Sequence, residues 1–453
     1  MKNLINNYID FISENKTERL CVQAAIRLAG KNGYRDISSV DRLKAGDKVY
    51  VNKMDKSLIL FEIGSDDISN GMNILGAHID SPRLDAKQNP IYEDKLYKTG
   101  IVYLNTHYYG GIKKYQWVAT PLAIYGVVFK ADGTKVDIAI GDDPKDPVFC
   151  ISDILPHIAQ EQMKKPASDF IEGEKLDAVL ACYPNVKNYR DPEDGKYTAG
   201  DGKKNVLKLI GDKYGITEDD FASAELELVP AGRARYLGFD KTLVLGYGQD
   251  DRVCAYTSLI AMIEGKAGKR TNCCILADKE EVGSNGATGM NSHLLDNALA
   301  EVVARLEVKG NPELAIRRAL ANSYMLSSDV NSAFDPLNAG LYDIYNSSFL
   351  GRGVVFNKYT GARGKSGASD ANPEFIAKVR GVLYSNEVYF QNAELSKVDA
   401  GGGGTIAHYA AEHGMNVLDC GVSVLSMHAP WEITSAFDIE QAYKCYKSFL
   451  QLA

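Results

Sequence analysis

Four apolar segments of this chain, each of strand length, run directly into residues that can bind a metal ion. They are residues 73–77, 271–277, 324–328 and 422–427, and they lead to His78, to the pair Glu280 and Glu281, to Asp329 and to His428. The carboxyl ends of parallel strands share one edge of an open α/β sheet, and ligands gather at that edge. The pattern therefore predicts an α/β fold with a polar site at one edge of its sheet.

The chain is too long for one ordinary hydrophobic core. Its 453 residues predict two or three domains. Strand-like and helix-like segments alternate in residues 1–83 and again in residues 239–453, which we interpret as two segments of one domain. Residues 84–238 predict a β-rich inserted domain, with a hairpin signal at residues 122–140 and a polar run at residues 185–204 that predicts a mobile surface loop.

Charge and hydropathy exclude several classes of protein. The net charge is −8 and the basic residues form no cluster, so we expect no binding to nucleic acid. No apolar run is long enough to span a membrane, and Asp10 and Glu14 lie where a signal peptide needs an apolar core. The eight cysteines show no Cys-x-x-Cys spacing, which favours reduced core thiols. We therefore expect a soluble, cytoplasmic protein.

The residues at the strand ends form a complete ligand set for two metal ions. Asp250 follows the strand-like residues 242–245 and adds a third carboxylate to the two imidazoles, Glu281 and Asp329. Such a set suits two divalent ions about 3.5–4 Å apart, with one carboxylate bridging them. Zinc is the leading candidate, and manganese or cobalt would accept the same ligands.

Two acidic residues remain outside this ligand set. Glu280 is free to act as the general base that takes a proton from the attacking water and delivers it to a leaving amine. Asp80 follows His78 by two residues and is placed to accept the other ring N–H of that histidine. A solvated charged turn is the alternative interpretation of the adjacent glutamates when they are considered alone.

The motifs at these positions resemble those of the aspartyl aminopeptidases. In chain order they are Gly76-Ala77-His78-Ile79-Asp80-Ser81-Pro82-Arg83-Leu84, Gln249-Asp250-Asp251, Asp278-Lys279-Glu280-Glu281-Val282-Gly283-Ser284, Ser328-Asp329 and Ser426-Met427-His428. The resemblance implies a co-catalytic dizinc exopeptidase with a mixed-sheet αβα catalytic domain. It also implies that His78 and Asp329 hold one ion, that Glu281 and His428 hold the other, and that Asp250 bridges them. Glu280 then matches the general base and Asp80 the residue behind the histidine ligand.

The resemblance carries further expectations about assembly and substrate. It implies that the inserted domain mediates dimer contacts within a homododecamer, and that His157 reaches the substrate site of a neighbouring subunit. Family members commonly carry histidines where this chain has Ser332 and Asp335, which weakens the expectation of an acidic substrate. An acidic side chain at the N-terminal substrate position needs a nearby cation, for which Arg363 and Lys365 are candidates, and we favour Lys365.

Alternative functions are compatible with the same residues. A dimetal amidohydrolase or deacylase of related architecture would use the same ligands on a different substrate, and hydrolysis of peptides with free N-termini would separate the two. A non-catalytic assembly scaffold would tolerate the loss of Glu280 or a ligand, and all of them are present. The glycines at 401–404 predict a loop whose backbone N–H groups line the substrate pocket, or else a flexible turn.

Overall fold

The computed structural model describes residues 2–94, 96–97, 99–182, 201–361, 363–400 and 402–452. The chain forms two compact units. The larger unit contains Met1–Ser81, Arg233–Met427 and Trp431–Ala453, and the smaller unit contains Pro82–Gly232 and His428–Pro430. The smaller unit is therefore inserted between two long segments of the larger one, with three residues contributed from near the end of the chain.

In the part of the chain that the structure describes, two helices of the larger unit begin at a side-chain cap. At the start of Glu18–Lys31 the Thr17 hydroxyl accepts a hydrogen bond from the N–H of Leu20, and at the start of Pro312–Ala321 the Asn311 side chain accepts from the N–H groups of Glu313 and Leu314. The helices of the described residues are α1 Lys2–Glu14, α2 Glu18–Lys31, α3 Ala167–Phe170, α4 Asp201–Tyr214, α5 Gln249–Glu264, α6 Leu294–Arg305, α7 Pro312–Ala321, α8 Pro373–Ser385, α9 Ala407–Ala411 and α10 Ala436–Phe449. None of them is long and apolar enough to cross a lipid bilayer.

Strands of the described residues fall into three sheets. They are β1 Arg35–Asp36, β2 Lys48–Lys53, β3 Ser57–Glu62, β4 Met72–His78, β5 Arg83–Glu93, β6 Ile101–Tyr109, β7 Leu122–Phe129, β8 Lys135–Ile140, β9 Ala178–Cys182, β10 Ala224–Pro230, β11 Arg235–Leu237, β12 Leu243–Gly246, β13 Thr271–Ala277, β14 Tyr324–Ser327, β15 Asn331–Ser332, β16 Val354–Asn357, β17 Phe390–Asn392, β18 Asn416–Gly421, β19 Ser423–Leu425 and β20 Glu432–Ser435.

The main sheet of the larger unit is mixed, in the order β1-β2-β3-β13-β4-β14-β18-β16-β17. Its centre is parallel: β13 and β14 both pair with β4, and β14 also pairs with β18. The strands β3 and β16 flank this centre in antiparallel orientation. The four central strands therefore end at the same edge, which is the edge where the sequence predicts a site.

Alternating side chains of β3 and β13 belong to two separate hydrophobic cores. Leu58, Leu60, Cys274 and Leu276 belong to a core with residues of α1, α2, α5, α8 and α10. Ile59, Phe61, Cys273 and Ile275 belong to a second core with residues of α6, α7 and α9. Because successive side chains of a strand point to opposite faces, the sheet is covered on both sides. The predicted α/β class with a mixed-sheet αβα arrangement is confirmed.

A five-stranded sheet of the larger unit, in the order β11-β12-β20-β19-β15, supports the strand-to-helix turn at Asp250. The smaller unit contains a six-stranded antiparallel sheet in the order β8-β7-β10-β5-β6-β9. Its β7–β8 hairpin confirms the turn signal at residues 131–134: Gly133 has φ +86°, and the Asp132 carboxylate accepts a hydrogen bond from the N–H of Thr134.

Some sequence predictions differ from the structure in detail. The predicted loop at residues 185–204 lies mainly outside the described residues, but residues 201–204 belong to the helix α4 and not to a loop. The turn predicted at residues 246–252 contains the start of α5, although Asp250 and Asp251 have non-helical dihedral angles.

Candidate metal centre

The central parallel strands bring several of the predicted ligands to one edge of the sheet. His78 is the last residue of β4 and pairs with Ala277, the last residue of β13. Ser327 of β14 pairs with Gly76, so Asp329 follows at the level of His78. The backbone N–H of Ser328 also donates to the carbonyl oxygen of Gly76 over 2.6 Å. Strand register alone therefore accounts for the grouping of residues that are 200 or more positions apart.

Three carboxylates surround one nitrogen of the His78 ring. Its Nε2 atom lies 3.1 Å from Asp250 Oδ1, 3.9 Å from Asp329 Oδ1 and 3.9 Å from Glu280 Oε2. The histidine side chain is only 1% exposed. A buried imidazole with several carboxylate oxygens at these distances has the composition and spacing of a divalent metal site.

Asp80 contacts both the histidine and the two glutamates. Its Oδ1 atom lies 3.3 Å from His78 Nδ1, and its carboxylate accepts hydrogen bonds from the backbone N–H groups of Glu280 (3.1 Å) and Glu281 (3.2 Å). The carbonyl oxygen of Asp80 also lies 3.1 Å from His78 Nδ1. Asp80 thus orients the imidazole through both its backbone and its side chain, and its carboxylate positions the short turn Glu280–Val282. If a metal ion binds at His78, these contacts at Nδ1 would leave Nε2 as the nitrogen that faces it.

A tight turn between β12 and α5 positions Asp250. Gly248 has φ +68°, and a Cβ atom there would lie 2.1 Å from Arg252 Nη1, so only glycine fits. The Ser81 hydroxyl donates to the Asp250 carbonyl oxygen over 2.6 Å, and the Asp250 N–H donates to Glu432 Oε2 over 3.1 Å. The backbone of Asp250 is therefore held from two sides.

Asp251 also belongs to this cluster. Its Oδ2 atom accepts a hydrogen bond from the backbone N–H of His78 over 3.3 Å. One possible ligand atom from each of His78, Asp251 and Asp329 lies within 4.8 Å of the others, and the same holds for His78, Glu280 and Glu281. The geometry thus brings together His78, Asp250, Glu280, Glu281 and Asp329 as predicted, and it adds Asp251.

Burial and neighbouring carboxylates shift the pKa values of the cluster. Burial raises the pKa of Asp329 well above its ordinary value, and the nearby Asp250 carboxylate raises it further. Burial also raises the pKa of Asp251. Burial lowers the pKa of His78, but its contacts with Asp250 and Asp80 outweigh this effect, and the net shift is upward. Divalent cations would relieve this crowding, so the residues present fit a metal centre.

The backbone around Glu280 and Glu281 is unusual. Lys279 precedes them with φ +69°, a left-handed conformation that a side chain rarely adopts, and Gly283 follows them with φ +86°. Left-handed residues other than glycine concentrate at functional sites, where the surrounding structure holds them in place. The turn therefore presents two successive carboxylates at the end of β13.

Three predicted residues, His428, His157 and Lys365, remain to be described. Within the smaller unit, His428 has φ +64° and its Nδ1 atom lies 2.7 Å from the carbonyl oxygen of Gly111. His157 is exposed in a short 3-10 turn, Pro156–Ile158. Lys365 lies outside the cluster, in a cleft of the larger unit of about 360 Å³ that Arg363 also lines, and its Nζ atom is 3.2 Å from Asp370 Oδ2.

A family model described as "Aminopeptidase I zinc metalloprotease (M18)" matches residues 11–450. The chain belongs to the M18 family of aminopeptidases. A probable M18 family aminopeptidase 1 from Clostridium acetobutylicum is 54% identical over 450 residues, which cover 98% of this chain and 94% of that protein. Membership of the family confirms the resemblance drawn from the motifs.

Solved structures of M18 family members share this fold. The crystal structure of an M18 aminopeptidase from Thermotoga maritima superposes with a TM-score of 0.91 at 40% identity, covering 100% of this chain and 96% of that one. The crystal structure of aminopeptidase I from Clostridium acetobutylicum gives a TM-score of 0.88 at 49% identity, covering 99% and 94%. The chain is thus similar to these aminopeptidases over its full length.

Residues that support the M18 site were not all found from the sequence. No sequence pattern predicted a role for Ser81 or Glu432, which hold the backbone of Asp250. Ser81 lies inside the motif that begins at Gly76, so its position in that motif could have indicated a role at the site. Glu432 follows His428 by four residues but has no spacing rule that links it to Asp250, and only the pairing of β12 with β20 reveals the contact.

Proposed function

We propose that this M18 aminopeptidase binds two divalent metal ions, zinc foremost, and removes N-terminal residues from peptides with Glu280 as general base. The observation that carries the proposal is the arrangement around His78, whose Nε2 atom has three carboxylates within 3.9 Å. The family to which the chain belongs is described as zinc metalloproteases. Manganese or cobalt would suit the same oxygen and nitrogen donors.

Five residues would hold the ions in this proposal. His78 and Asp329 would bind one, Glu281 and His428 the other, and Asp250 would bridge both, as the motifs imply. Asp251 is a further carboxylate within reach of the first group. When bound, two such ions lower the pKa of a water molecule and polarise the substrate carbonyl group.

Glu280 would carry out the proton transfers. Glu280 precedes the proposed ligand Glu281, and its carboxylate lies 3.9 Å from His78 Nε2, which supports a place beside the proposed ions. It would accept a proton from the attacking water and donate it to the nitrogen of the leaving peptide. Asp80 would keep Glu280 in place, because it accepts hydrogen bonds from the backbone N–H groups of both glutamates.

We further propose a preference for acidic N-terminal residues, with Lys365 as the cation that recognises them. The cleft around Lys365 is also lined by Arg363 and Lys397, and it is large enough for an amino-acid side chain. A carboxylate entering it would compete with Asp370, which lies 3.2 Å from both Lys358 and Lys365. Charge-assisted hydrogen bonds of this kind give both affinity and selectivity.

Assembly is the remaining part of the proposal. An aminopeptidase with this fold from S. cerevisiae, mApe1, is described as a dodecamer, with a TM-score of 0.75 at 21% identity and coverage of 98% of this chain and 95% of that one. We propose a homododecamer, with dimer contacts through the β-rich insert at residues 84–238, in which His157 reaches a neighbouring active site. Exposed apolar residues beside His157 support this role, namely Ile154, Leu155, Ile158 and Met163.

Mixed assemblies test the proposed role of His157. Subunits carrying His157→Ala are combined with subunits carrying Asp329→Asn, neither of which should be active alone. Recovery of activity is expected in the mixture, because each intact residue can serve a partner. Confirmed mixed assemblies without any recovery would show that His157 does not act across subunits.

A release assay tests the main function. Protein stripped by a chelator is reloaded with zinc, manganese or cobalt and given a panel of free and N-blocked peptides. We expect metal-dependent release confined to free N-termini, fastest for those beginning with Asp or Glu. Hydrolysis of N-acyl substrates instead would favour a deacylase, and silence across the panel with two metals bound would favour a non-catalytic role.

A further inference from the structure

A buried aspartate in the main sheet lies where three functional segments of the larger unit meet. Asp419 is on β18 and is only 3% exposed. It pairs with Ser327 on one side and with Asn357 on the other. Ser327 comes two residues before the candidate ligand Asp329, and Asn357 comes directly before the loop that carries Lys358 and Lys365.

The third segment is the glycine-rich loop, residues 402–404. The Thr405 hydroxyl at the end of this loop donates a hydrogen bond to Asp419 Oδ1 over 2.6 Å. The same Thr405 oxygen accepts a hydrogen bond from the N–H of Ala407, the first residue of α9, over 3.3 Å. One side chain thus connects the exposed loop, the start of a helix and a buried carboxyl group.

The glycine-rich loop in turn contacts the loop that carries the lysines. The N–H of Gly361 donates to the carbonyl oxygen of Gly403 over 2.6 Å. Gly402 lines the same cleft as Arg363 and Lys365. Any shift of residues 402–404 would therefore change the shape of this cleft.

The residue after Thr405 packs towards the metal centre. Ile406 is fully buried and belongs to the same core as Met325 and Ile74. A Cβ atom built at Gly76 would lie 3.3 Å from Ile406 Cδ1, so Ile406 covers β4 two residues before His78. The Thr405 anchor therefore lies between the cleft and the candidate ligands.

We propose that Asp419, acting through the Thr405 hydroxyl, is a positioning residue that holds the glycine-rich loop against the cleft and so sets how tightly substrate binds. This inference rests on the proposed aminopeptidase function. Neither residue needs to touch substrate or metal. The buried carboxyl acts as a fixed acceptor inside the sheet, and the loop is ordered by the hydrogen bond that it makes to that acceptor.

Two substitutions of Thr405 test the role of its hydroxyl group. Thr405→Val removes the hydroxyl and keeps the shape of the side chain, whereas Thr405→Ser keeps the hydroxyl. For an aminoacyl substrate we expect Thr405→Val to raise KM about tenfold, the change that corresponds to about 1.4 kcal/mol, with kcat within about twofold and metal content unchanged. Thr405→Ser should restore KM to near the wild-type value.

Hydrogen exchange supplies a measurement that is independent of activity. Amides of residues 402–407 should exchange about tenfold faster in Thr405→Val than in the wild-type protein, and at the wild-type rate in Thr405→Ser, because loss of one hydrogen bond frees the loop. Thr271→Val is the matched control: Thr271 is buried at the other end of the sheet, where its hydroxyl accepts a hydrogen bond from Gly64. That variant should leave KM and loop exchange unchanged.

The outcomes separate this inference from the proposed function. Unchanged KM and unchanged loop exchange in Thr405→Val would overturn the positioning role, as would equal effects in Thr405→Ser or Thr271→Val. Failure of the wild-type protein to release amino acids would overturn the aminopeptidase proposal instead. In that case faster exchange in Thr405→Val would still support the anchor, and unchanged exchange would refute it.

Discussion

Two groups of acidic residues in the larger unit behave in opposite ways. At the strand ends, Asp250, Asp329 and Glu280 crowd around His78, and burial raises the pKa of Asp329. On the surface loop, Asp370 lies between Lys358 and Lys365, and hydrogen bonds from these lysines lower its pKa. In the first group carboxylates lie close to one another, and in the second the carboxylate lies close to two lysines.

The difference indicates what each group can do. Carboxylates that the protein already pairs with lysines gain little from an added cation. Crowded carboxylates are stable only if protons or metal ions reduce their charge, because like charges at short range oppose ionisation. The neighbours of the carboxylates therefore predict different sites. Crowded carboxylates predict a metal site at the strand ends, and the lysines beside Asp370 predict an anion-recognition site on the loop.

The largest expected effect comes from Glu280→Gln. This change keeps the shape of the side chain but removes its ability to accept a proton. We expect kcat to fall by about 10³-fold or more, near the upper end of what general base catalysis contributes, while the metal content stays at two ions per subunit. Turnover measured together with elemental analysis checks both statements.

Glu281→Gln is the control for that result. As a proposed ligand, Glu281 should be required for full metal content, so this variant should lose metal as well as activity. Metal loss in Glu280→Gln with full retention in Glu281→Gln would mean that the two glutamates have the opposite roles. Near-normal turnover of Glu280→Gln would exclude it as the base.

The effect of zinc on the free energy of unfolding tests the difference between the strand-end cluster and the surface loop. Zinc at 100 times its dissociation constant should stabilise the chelator-treated wild-type protein by about 2.7 kcal/mol, because it binds the folded state. Asp329→Asn should lose most of this gain, whereas Asp370→Asn should retain it. Melting temperatures measured with and without zinc would contradict the comparison if the two variants responded alike.

The grouping of several residues of the candidate metal centre could be predicted because strand ends are visible in a sequence. The apolar residues 73–77 and 271–277 and the polar residues that follow them are sufficient to place His78 and Glu280 at the edge of a sheet. The register of β4 with β13 and β14 then brings them close to Asp329. Local patterns that coincide with sheet topology are therefore the predictable part of this site.

Contacts that depend on packing between distant segments were not predictable in the same way. No pattern in the sequence links Glu432 to the N–H of Asp250, or Thr405 to Asp419. Asp251 differs from Asp250 only by one position, and only the fold shows that its carboxylate faces the N–H of His78. These contacts depend on the order of strands and on turn geometry, which periodicity does not specify.

Substrate preference tests the surface loop that carries Asp370, Lys358 and Lys365. Lys365→Ala should lower kcat/KM for peptides that begin with Asp or Glu by about tenfold, since a hydrogen bond to a charged group contributes about 1.5–3 kcal/mol. Peptides that begin with Ala should be cleaved at the wild-type rate. Lys358→Ala is the matched control, because it removes the other lysine beside Asp370 and should have a smaller effect. An equal loss for acidic and neutral peptides would exclude Lys365 from substrate recognition.

The pH dependence of the free energy of unfolding tests the raised pKa of the buried Asp419 against the lowered pKa of the exposed Asp370. Burial raises the pKa of Asp419 to about 7, although hydrogen bonds from Thr405 and Ser327 lower it. Between pH 5 and 7 the folded protein then keeps a proton that the unfolded chain, with a pKa of about 3.9, has lost. Stability therefore falls as pH rises through this range, by at most about 1.4 kcal/mol per pH unit for one proton. Asp419→Asn should make this slope shallower, by up to the contribution of one proton, in urea unfolding of metal-free protein. The rest of the slope should remain, because burial also raises the pKa of Asp251, Asp329 and Asp438. Asp370→Asn should not change it, because the pKa of Asp370 is lowered and its titration lies below this range. An unchanged slope in Asp419→Asn would assign the proton to another group.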